Sequence, residues 1–334
     1  MLRDILKGED RDIQSAVDVI AHISPDILLL TGFDWDHGMS TLGAFASLLG
    51  VAGTPYPHLY AARPNAGKAS GLDLDGDGRL GGPRDAQGYG RFAGHGGMAL
   101  LSRLPLVHDE VREFTDLRWK DFPGALLPET DAGPFPSAEA LDAQLLSSVA
   151  HWDVPVIMEG GTRLHLLSFA AGPPVFDGPE DRNGRRNHDE VALWSHYLAG
   201  GLGQSAPDDL IVVLGNANLD PADGEGLQDA ILDLLAHPRV QDARPHSAGG
   251  DEAAGAQRGA NIGQSGDPNL DTADWSDDPG PGNLRVSYVL PDRQLSVIAS
   301  GVFWPAAGDP MRQLIEGEGA SRHRLVWVDI EVPD

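Results

Sequence analysis

A run of alternating aspartates is the segment whose residue types point most directly to chemistry. Residues 71–85 read GLDLDGDGRLGGPRD and place Asp73, Asp75 and Asp77 two residues apart, followed by Gly78. This spacing matches positions 1, 3, 5 and 6 of an EF-hand calcium loop, in which alternate carboxylates converge on one ion and glycine permits a sharp turn. We therefore predict a Ca²⁺ site with a structural role in fixing a long loop.

The second half of that loop departs from the EF-hand pattern. Position 12 is Arg84 where an EF-hand has Glu, and Asp85 lies one residue further on. An ordinary turn rich in Asp and Gly is the alternative, but three acids at this spacing repel one another unless a cation joins them. With a backbone carbonyl at position 7, the predicted ligands are Asp73, Asp75, Asp77, Arg79 and Asp85.

The most basic run in the chain is DRNGRRNHDE, residues 181–190. Its arginines could clamp an anion through paired guanidinium hydrogen bonds, with Arg182, Arg185 and Arg186 as candidates. The alternative is that the segment begins a helix, with Asn187 as N-cap and acidic residues in the first turn. The sequence does not decide between an anion-binding role and the start of a helix.

Short apolar runs rich in β-branched residues predict strands that end in loops of Gly, Asn, Asp and Pro. The predicted strands lie at 25–33, 96–107, 154–158, 163–170, 209–219, 283–290, 294–304 and 323–332. Helices are predicted at 10–23, 38–50, 137–149, 187–200 and 225–237, and a long polar loop at 243–282. No linker divides the chain, so we predict one domain over residues 1–334, an α/β sandwich of two stacked sheets with helices outside.

The charge of the chain limits its partners. Its 334 residues include 50 acidic and 24 basic side chains, which give a formal net charge of −26. Nucleic acid is not an expected partner, because affinity for it comes mainly from Lys and Arg that neutralise phosphates. The chain has no Cys, which excludes disulfides and thiolate metal sites.

The sequence leaves the location of the protein open. No apolar stretch approaches the roughly 18–20 residues of a membrane span, so no membrane partner is expected. The first ten residues carry no signal peptide. A secreted or periplasmic location is expected if an upstream signal peptide has been removed, and a cytoplasmic one otherwise.

Six segments, in order along the chain, resemble motifs of the endonuclease/exonuclease/phosphatase family, whose best-known member is deoxyribonuclease I. They are PDILLLTGFDWD, GMALLSRLPL, RLHLLSFAAGPPVFDGPEDRNGRRNHDEVALW, VVLGNANLDP, LRVSYVLP and SRHRLVWVDI. The resemblance implies the two-sheet αββα sandwich of that family. The family's opening strand, which ends in a metal-linked Asn, has no counterpart before Arg11, so we expect the first strand to be missing.

The resemblance also implies metal-dependent phosphoester hydrolysis, in which carboxylates hold divalent cations and a His handles protons. Asn218 and His323 match family residues, and with Asn216 they form the expected remnant of the catalytic site. Five family positions carry other side chains: Gly32 for Glu, Ala170 for His, Asn216 for Asp, Ser287 for Asp and Arg322 for Asp. Arg322 puts a cation where a carboxylate is expected, and with Asn216, Asn218 and His323 it could bind an anion without metal. The alternative is a surface Arg paired with one of the many acids of the chain.

Two functions follow from this pattern. The favoured one is a catalytically impaired family member that acts as a binding or structural module stabilised by Ca²⁺, with a small anion or a protein as partner. The alternative is an active phosphoesterase that uses Mg²⁺ or Mn²⁺ with atypical ligands on a small phosphoester. A different hydrolysis at the same cleft is a third hypothesis. The alternative requires Asp34, Asp36 or Asp220 to point into the cleft around Asn216.

Overall fold

The computed structural model describes residues 1–317 and 320–331 of the chain. In this part the α-helices are α1 (Leu2–Lys7), α2 (Arg11–Ile23), α3 (Ser40–Val51), α4 (Ala138–Ala143), α5 (Arg182–Leu198), α6 (Asp229–Ala236) and α7 (Ala248–Gln257). The strands are β1 (Ile27–Phe33), β2 (His58–Tyr60), β3 (Gly97–Ser102), β4 (Arg112–Glu113), β5 (Glu129–Thr130), β6 (Gly133–Pro134), β7 (Ala150–Ile157), β8 (Arg163–Ala170), β9 (Leu210–Asn216), β10 (Ala273–Asp274), β11 (Asn283–Leu284), β12 (Ser287–Pro291), β13 (Ser296–Val302) and β14 (Val326–Glu331). The end of the predicted strand 323–332 lies outside the described residues.

The main strands form two layers. One layer is a five-stranded sheet in the order β12-β9-β8-β7-β4, in which β8 and β9 are parallel and the other neighbours antiparallel. The other layer contains the three-stranded sheet β1-β3-β2 and the pair β13-β14. Apolar side chains of β1, β3 and β14 pack on β7, β8 and β9. With helices outside both layers, this is the predicted αββα sandwich.

The alternation of side chains along each strand explains the layering. In β8, Leu164 and Leu166 lie in the core between the sheets, whereas Leu167 and Phe169 lie in a second core with α5 and α6. Successive side chains of a strand point to opposite faces, so one strand contributes to both cores. A third core joins β1 and β3 to α1, α2 and α3.

Four strand edges in the outer layer lack a partner in the described residues. There β1 and β2 each pair only with β3, and β13 and β14 pair only with each other. That the family's opening strand is missing stays a prediction.

Two helix predictions were wrong at their ends. Helix α5 begins at Arg182 and not at the predicted residue 187. Asn187 does not cap the helix, because it is buried and its Nδ2 donates to the carbonyls of Gly172 and Ala217, both at 2.7 Å. The helix predicted at 137–149 ends at Ala143. The chain then extends beneath α5, and its N–H groups find partners in other segments, such as the carbonyl of Leu117.

The polar segment 243–282 has more structure than the predicted loop. It contains α7, which Ser247 caps by accepting the N–H of Gly250 at 3.2 Å. Trp119, Trp194 and Trp304 are buried. No helix in residues 1–317 and 320–331 combines the length and apolar character needed to cross a bilayer.

Candidate functional site

A cleft of about 1090 Å³ opens beside the carboxyl ends of β1, β8 and β9. One wall is formed by the strand ends and the segment before β14, with Thr31, Gly32, Ala170, Asn216 and His323 among its residues. The rest of the lining comes from the aspartate-rich loop, the segment after β8 and the first turns of α5. The first wall therefore holds most of the positions that the sequence singled out.

The sheet register places three of those positions side by side. Ala170 lies opposite Asn216 in the parallel pair β8-β9, and Asn216 lies opposite Ser287 in the antiparallel pair β9-β12. Ala170 and Asn216 line the cleft, and Ser287 is half-buried on the next strand. This row carries no charge and no imidazole.

The two asparagines of the site bond to each other. The backbone N–H of Asn218 donates to Oδ1 of Asn216 at 2.9 Å, and Nδ2 of Asn216 donates to Oδ1 of Asn218 at 3.2 Å. Nδ2 of Asn218 donates to the carbonyl of Ala171 at 2.8 Å. Most hydrogen-bonding atoms of the two side-chain amides thus have partners within the protein.

His323 and Gly32 complete this wall. The His323 ring stands edge-on to Trp275, with centroids 5.4 Å apart. Burial, with Arg324 nearby, lowers the pKa of His323 below its ordinary value, so the ring is neutral at pH 7. Gly32 has a φ of +69° and open space where a Cβ would lie, so a side chain would fit there but would strain the backbone.

Asp34 and Asp36, two of the acids that the alternative hypothesis requires in the cleft, accept backbone N–H groups instead. Asp36 accepts three backbone N–H groups at the start of α3, which lower its pKa to about 2 although burial opposes ionisation. Asp34 accepts the N–H of Gly96 at 3.1 Å. Neither carboxylate is among the described residues that line the cleft.

The carboxylate of Asp220 also has hydrogen-bond partners within the protein. It is buried, and its carboxylate accepts the N–H of Arg285 at 2.6 Å and that of Ala222 at 2.8 Å. Burial raises the pKa of Asp220, and the nearby Asp223 adds to the effect. Asp220 does not line the cleft in the described part of the chain, so the strand-end wall gains no substitute carboxylate.

The aspartate-rich loop brings three carboxylates together. Asp73, Asp75 and Asp85 each offer an oxygen within 4.8 Å of the others, and no other such group of three occurs in the described residues. Asp77 is outside this group, and its Oδ1 accepts the N–H of Arg79 at 2.8 Å. The structure therefore unites three of the five predicted ligands, and the carbonyl of Arg79 remains a prediction.

Loop hydrogen bonds hold these carboxylates in place. Asp73 accepts the N–H groups of Gly76 at 2.6 Å and Gly78 at 2.8 Å, and Asp85 accepts that of Leu74 at 3.1 Å. Burial raises the pKa of Asp75, and the neighbouring aspartates repel its negative charge further. A divalent cation would remove that repulsion, since hard cations prefer carboxylate oxygens. Asp75 also lines the cleft, so this loop forms part of its wall.

The arginines of α5 differ in their contacts. The Arg186 guanidinium is buried and donates to the carbonyls of Leu145, Leu146, Ser147 and Gln87. Arg182 is 8% exposed, lines the cleft, and its Nε has no hydrogen-bond partner in the described residues. Its Nη2 lies 3.2 Å from the side-chain oxygen of Gln144 when that amide is turned to accept. Both arginines line the cleft, but Arg186 braces the backbone through its hydrogen bonds, whereas the Nε of Arg182 is buried without a partner in the described part of the chain.

The other predicted anion ligands lie outside the lining. Arg185 is half-buried on α5, and Arg322 is exposed with its carbonyl accepting the N–H of Asp274 at 2.9 Å. Neither is among the described residues that line the cleft. Their role in anion binding stays a prediction that this geometry does not favour.

A buried carboxyl lies at the base of the cleft. Glu190 of α5 accepts the N–H and the hydroxyl of Ser148 and the N–H of Gly172 at 2.8 Å. Burial raises the pKa of Glu190 to about 7, although Arg186 and these hydrogen bonds favour the charged form. The sequence prediction missed Glu190. A signal was present, because Arg186, Glu190 and Trp194 follow one another at four-residue spacing and therefore share one face of the helix.

Comparison with known proteins identifies the family. The sequence pattern described as "Endonuclease/Exonuclease/phosphatase family" matches residues 6–323. The chain belongs to the endonuclease/exonuclease/phosphatase family. The resemblance predicted from the six motifs is thereby confirmed. Members of this family are typically dependent on a divalent metal. No curated protein matches the chain.

Solved structures of family members share the fold. The endonuclease/exonuclease/phosphatase from Beutenbergia cavernae is 16% identical with a TM-score of 0.54, over 97% of this chain and 66% of that chain. This chain thus spans about two thirds of the length of that protein. A family protein from Leptotrichia buccalis is 14% identical with a TM-score of 0.50, over 96% of this chain and 93% of that one.

The side chains present do not fit the family's catalytic metal at the strand ends. Mg²⁺ is held by carboxylates at short distances, and the row of Ala170, Asn216 and Ser287 supplies none. The only group of three carboxylates in the described residues lies on the loop of Asp73, Asp75 and Asp85. The strand-end row therefore supplies no carboxylate ligand for a catalytic metal.

Proposed function

We propose that this family member does not hydrolyse phosphoesters efficiently and instead binds a small anion in its cleft, with Ca²⁺ on the aspartate-rich loop. The observation that carries the proposal is the uncharged row of Ala170, Asn216 and Ser287 at the strand ends. Removing one general base or one transition-state donor typically costs about 10²–10⁴ in rate. Replacing the metal carboxylates as well takes activity close to background.

The cleft offers cationic groups to an anion. Arg84 is exposed and lines the cleft together with Arg182, which is 8% exposed. A guanidinium binds phosphate or carboxylate through directed, charge-assisted hydrogen bonds. The neutral His323 and the two asparagines, which also line the cleft, supply polar contacts without requiring a metal.

The loop cation contributes to this site in two ways. It offsets the mutual repulsion of Asp73, Asp75 and Asp85. It also makes the wall that contains Asp75 less negative, which favours an anionic ligand in a chain of net charge −26. Ca²⁺ is proposed over Mg²⁺ because the alternating aspartates match the first positions of an EF-hand calcium loop.

The alternative of an active phosphoesterase has less support in the geometry. It needed Asp34, Asp36 or Asp220 in the cleft, and each of these carboxylates accepts backbone N–H groups outside the described lining. Nucleic acid remains an unfavoured partner because of the acidic charge of the chain.

Titration calorimetry with inorganic phosphate, in the presence of Ca²⁺, tests the proposal. We expect saturable binding that Arg182→Gln weakens at least tenfold, since a charge-assisted hydrogen bond contributes about 1.5–3 kcal/mol. Arg11→Gln is the matched control, because it makes the same charge change at an exposed position of α2. Equal affinity in wild type and Arg182→Gln, or no binding at all, contradicts the proposed site.

A further inference from the structure

Phe176, in the segment between β8 and α5, combines a strained backbone with an exposed ring. Its φ is 72°, in the left-handed region that bulky side chains avoid, and 74% of its surface is exposed. Neither burial nor local geometry explains a phenylalanine there, since glycine would adopt this backbone without strain. Strained residues that the surroundings hold in place are often found at binding sites.

Neighbouring contacts hold Phe176 in this conformation. Nδ2 of Asn183 donates to the carbonyl of Val175 at 2.7 Å, and the N–H of Asn183 donates to the carboxylate of Asp177. The residues on both sides of Phe176 are therefore tied to the first turn of α5. The ring is presented to the cleft from a fixed backbone.

A second exposed ring and two cations share the cleft with it. Tyr89 is 58% exposed and lines the cleft, as Phe176 does. Arg182 and Arg84 also line the cleft. Exposed aromatic rings and cations in one cleft match a ligand that has a flat apolar part and a negatively charged group.

We propose that Phe176 and Tyr89 form a ring-binding subsite, so that the cleft selects an anion attached to an aromatic ring, such as an aryl phosphate. Arg182 and Arg84 bind the anionic group, and the two aromatic side chains contact the faces or edges of the ligand ring. This inference rests on the proposed function and adds the class of ligand. The positions of Phe176 and Tyr89 lie outside the strand-end row.

Three probes separate the contributions: phenyl phosphate, methyl phosphate and phenol, each titrated into the full chain with Ca²⁺. Because a ligand ring can stack on the aromatic side chains, phenyl phosphate is expected to bind roughly tenfold more tightly than methyl phosphate, a difference of about 1.4 kcal/mol. Phenol, which has the ring but no anionic group at neutral pH, is expected to bind most weakly.

Single variants test whether the side chains of Phe176 and Tyr89 cause the preference for phenyl phosphate. Phe176→Ala and Tyr89→Ala are expected to bring phenyl phosphate to within about twofold of methyl phosphate, with methyl phosphate affinity unchanged. Ile262→Ala is the control, because Ile262 is an exposed apolar residue (69%) outside the described lining of the cleft. Thermal midpoints of all variants show whether each one is folded.

The outcomes distinguish this inference from the proposed function. Equal affinities for phenyl and methyl phosphate in the wild type overturn the ring subsite and leave anion binding intact. A ring preference that survives Phe176→Ala and Tyr89→Ala also overturns it. Binding of neither phosphate overturns both proposals, and phenol binding as tight as phenyl phosphate overturns the role of the cations.

Discussion

The side-chain oxygen of Asn216 accepts the backbone N–H of Asn218 at 2.9 Å, at the strand end where the family carries an Asp. The two side chains also bond to each other, and Asn218 donates onward to the carbonyl of Ala171. Polar groups that are paired in this way are stable without a bound ion. The two side-chain amides therefore have hydrogen-bond partners within the protein.

Calcium is expected to stabilise the chain through Asp73, Asp75 and Asp85 and not through Asp77. A ligand at a hundred times its dissociation constant raises the free energy of unfolding by about 2.7 kcal/mol. We expect Ca²⁺ to raise the thermal midpoint of the wild type, and Asp73→Asn or Asp85→Asn to abolish the rise. Asp77→Asn is the matched control in the same loop, because Asp77 lies outside the group. Calorimetric melting with and without Ca²⁺ measures this, and equal loss in all three variants would contradict the assigned ligands.

Glu190 is expected to make stability depend on pH. Burial raises its pKa from 4.5 to about 7, so its contribution to stability is full below the lower value and is lost as pH rises through the higher one. By linkage the loss is about 3 kcal/mol.

Urea unfolding at about pH 5 and about pH 8 tests this expectation. Relative to Glu190→Gln, the wild type should lose stability between these conditions, whereas the exposed Glu139→Gln should follow the wild type. If the difference between wild type and Glu190→Gln is the same at both pH values, Glu190 is ionised throughout and the argument from burial is wrong.

Arg186 is expected to stabilise the fold rather than to bind the ligand. Arg186→Met leaves buried carbonyls, among them those of Leu145 and Leu146, without their donor. Breaking a buried charged group's hydrogen bonds typically costs about 3–5 kcal/mol, which would lower the urea midpoint strongly. The fraction that remains folded should still bind phosphate. A variant with wild-type stability but no phosphate binding would instead make Arg186 an anion ligand.

Phe176→Gly is expected to be more stable than Phe176→Ala. A left-handed φ of 72° costs a residue with a Cβ about 1–2 kcal/mol, a cost that glycine avoids while losing more chain entropy on folding. The net difference is about 1 kcal/mol in favour of glycine, measured by urea unfolding of both variants. Equal stabilities would show that the backbone at this position relaxes, and would remove strain as a clue to function.

The sequence was informative where the determinants are local or follow the family motifs. The helix predicted at 10–23 matches α2, and the apolar run of β8 matches the predicted strand at 163–170. The resemblance located Ala170, Asn216 and Ser287, and the sheet register then placed them in one row.

Features that depend on distant parts of the chain could not be predicted. Asn187 looked like an N-cap, but its partners are the carbonyls of Gly172 and Ala217, which no local pattern reveals. The raised pKa of Glu190 arises from burial against Ser148 and Gly172, which are far away in sequence. The exposed ring of Phe176 is informative only once its backbone φ is known.

Phosphoester hydrolysis tests the central claim most directly. The wild type would be assayed on a phosphodiester and a phosphomonoester, with Mg²⁺, Mn²⁺ and Ca²⁺ supplied in turn. We expect no turnover above background with any of the metals, together with a higher thermal midpoint in Ca²⁺. Metal-dependent turnover that Asn216→Ala or His323→Ala abolishes would contradict the claim and would show that the strand-end site remains an active phosphoesterase.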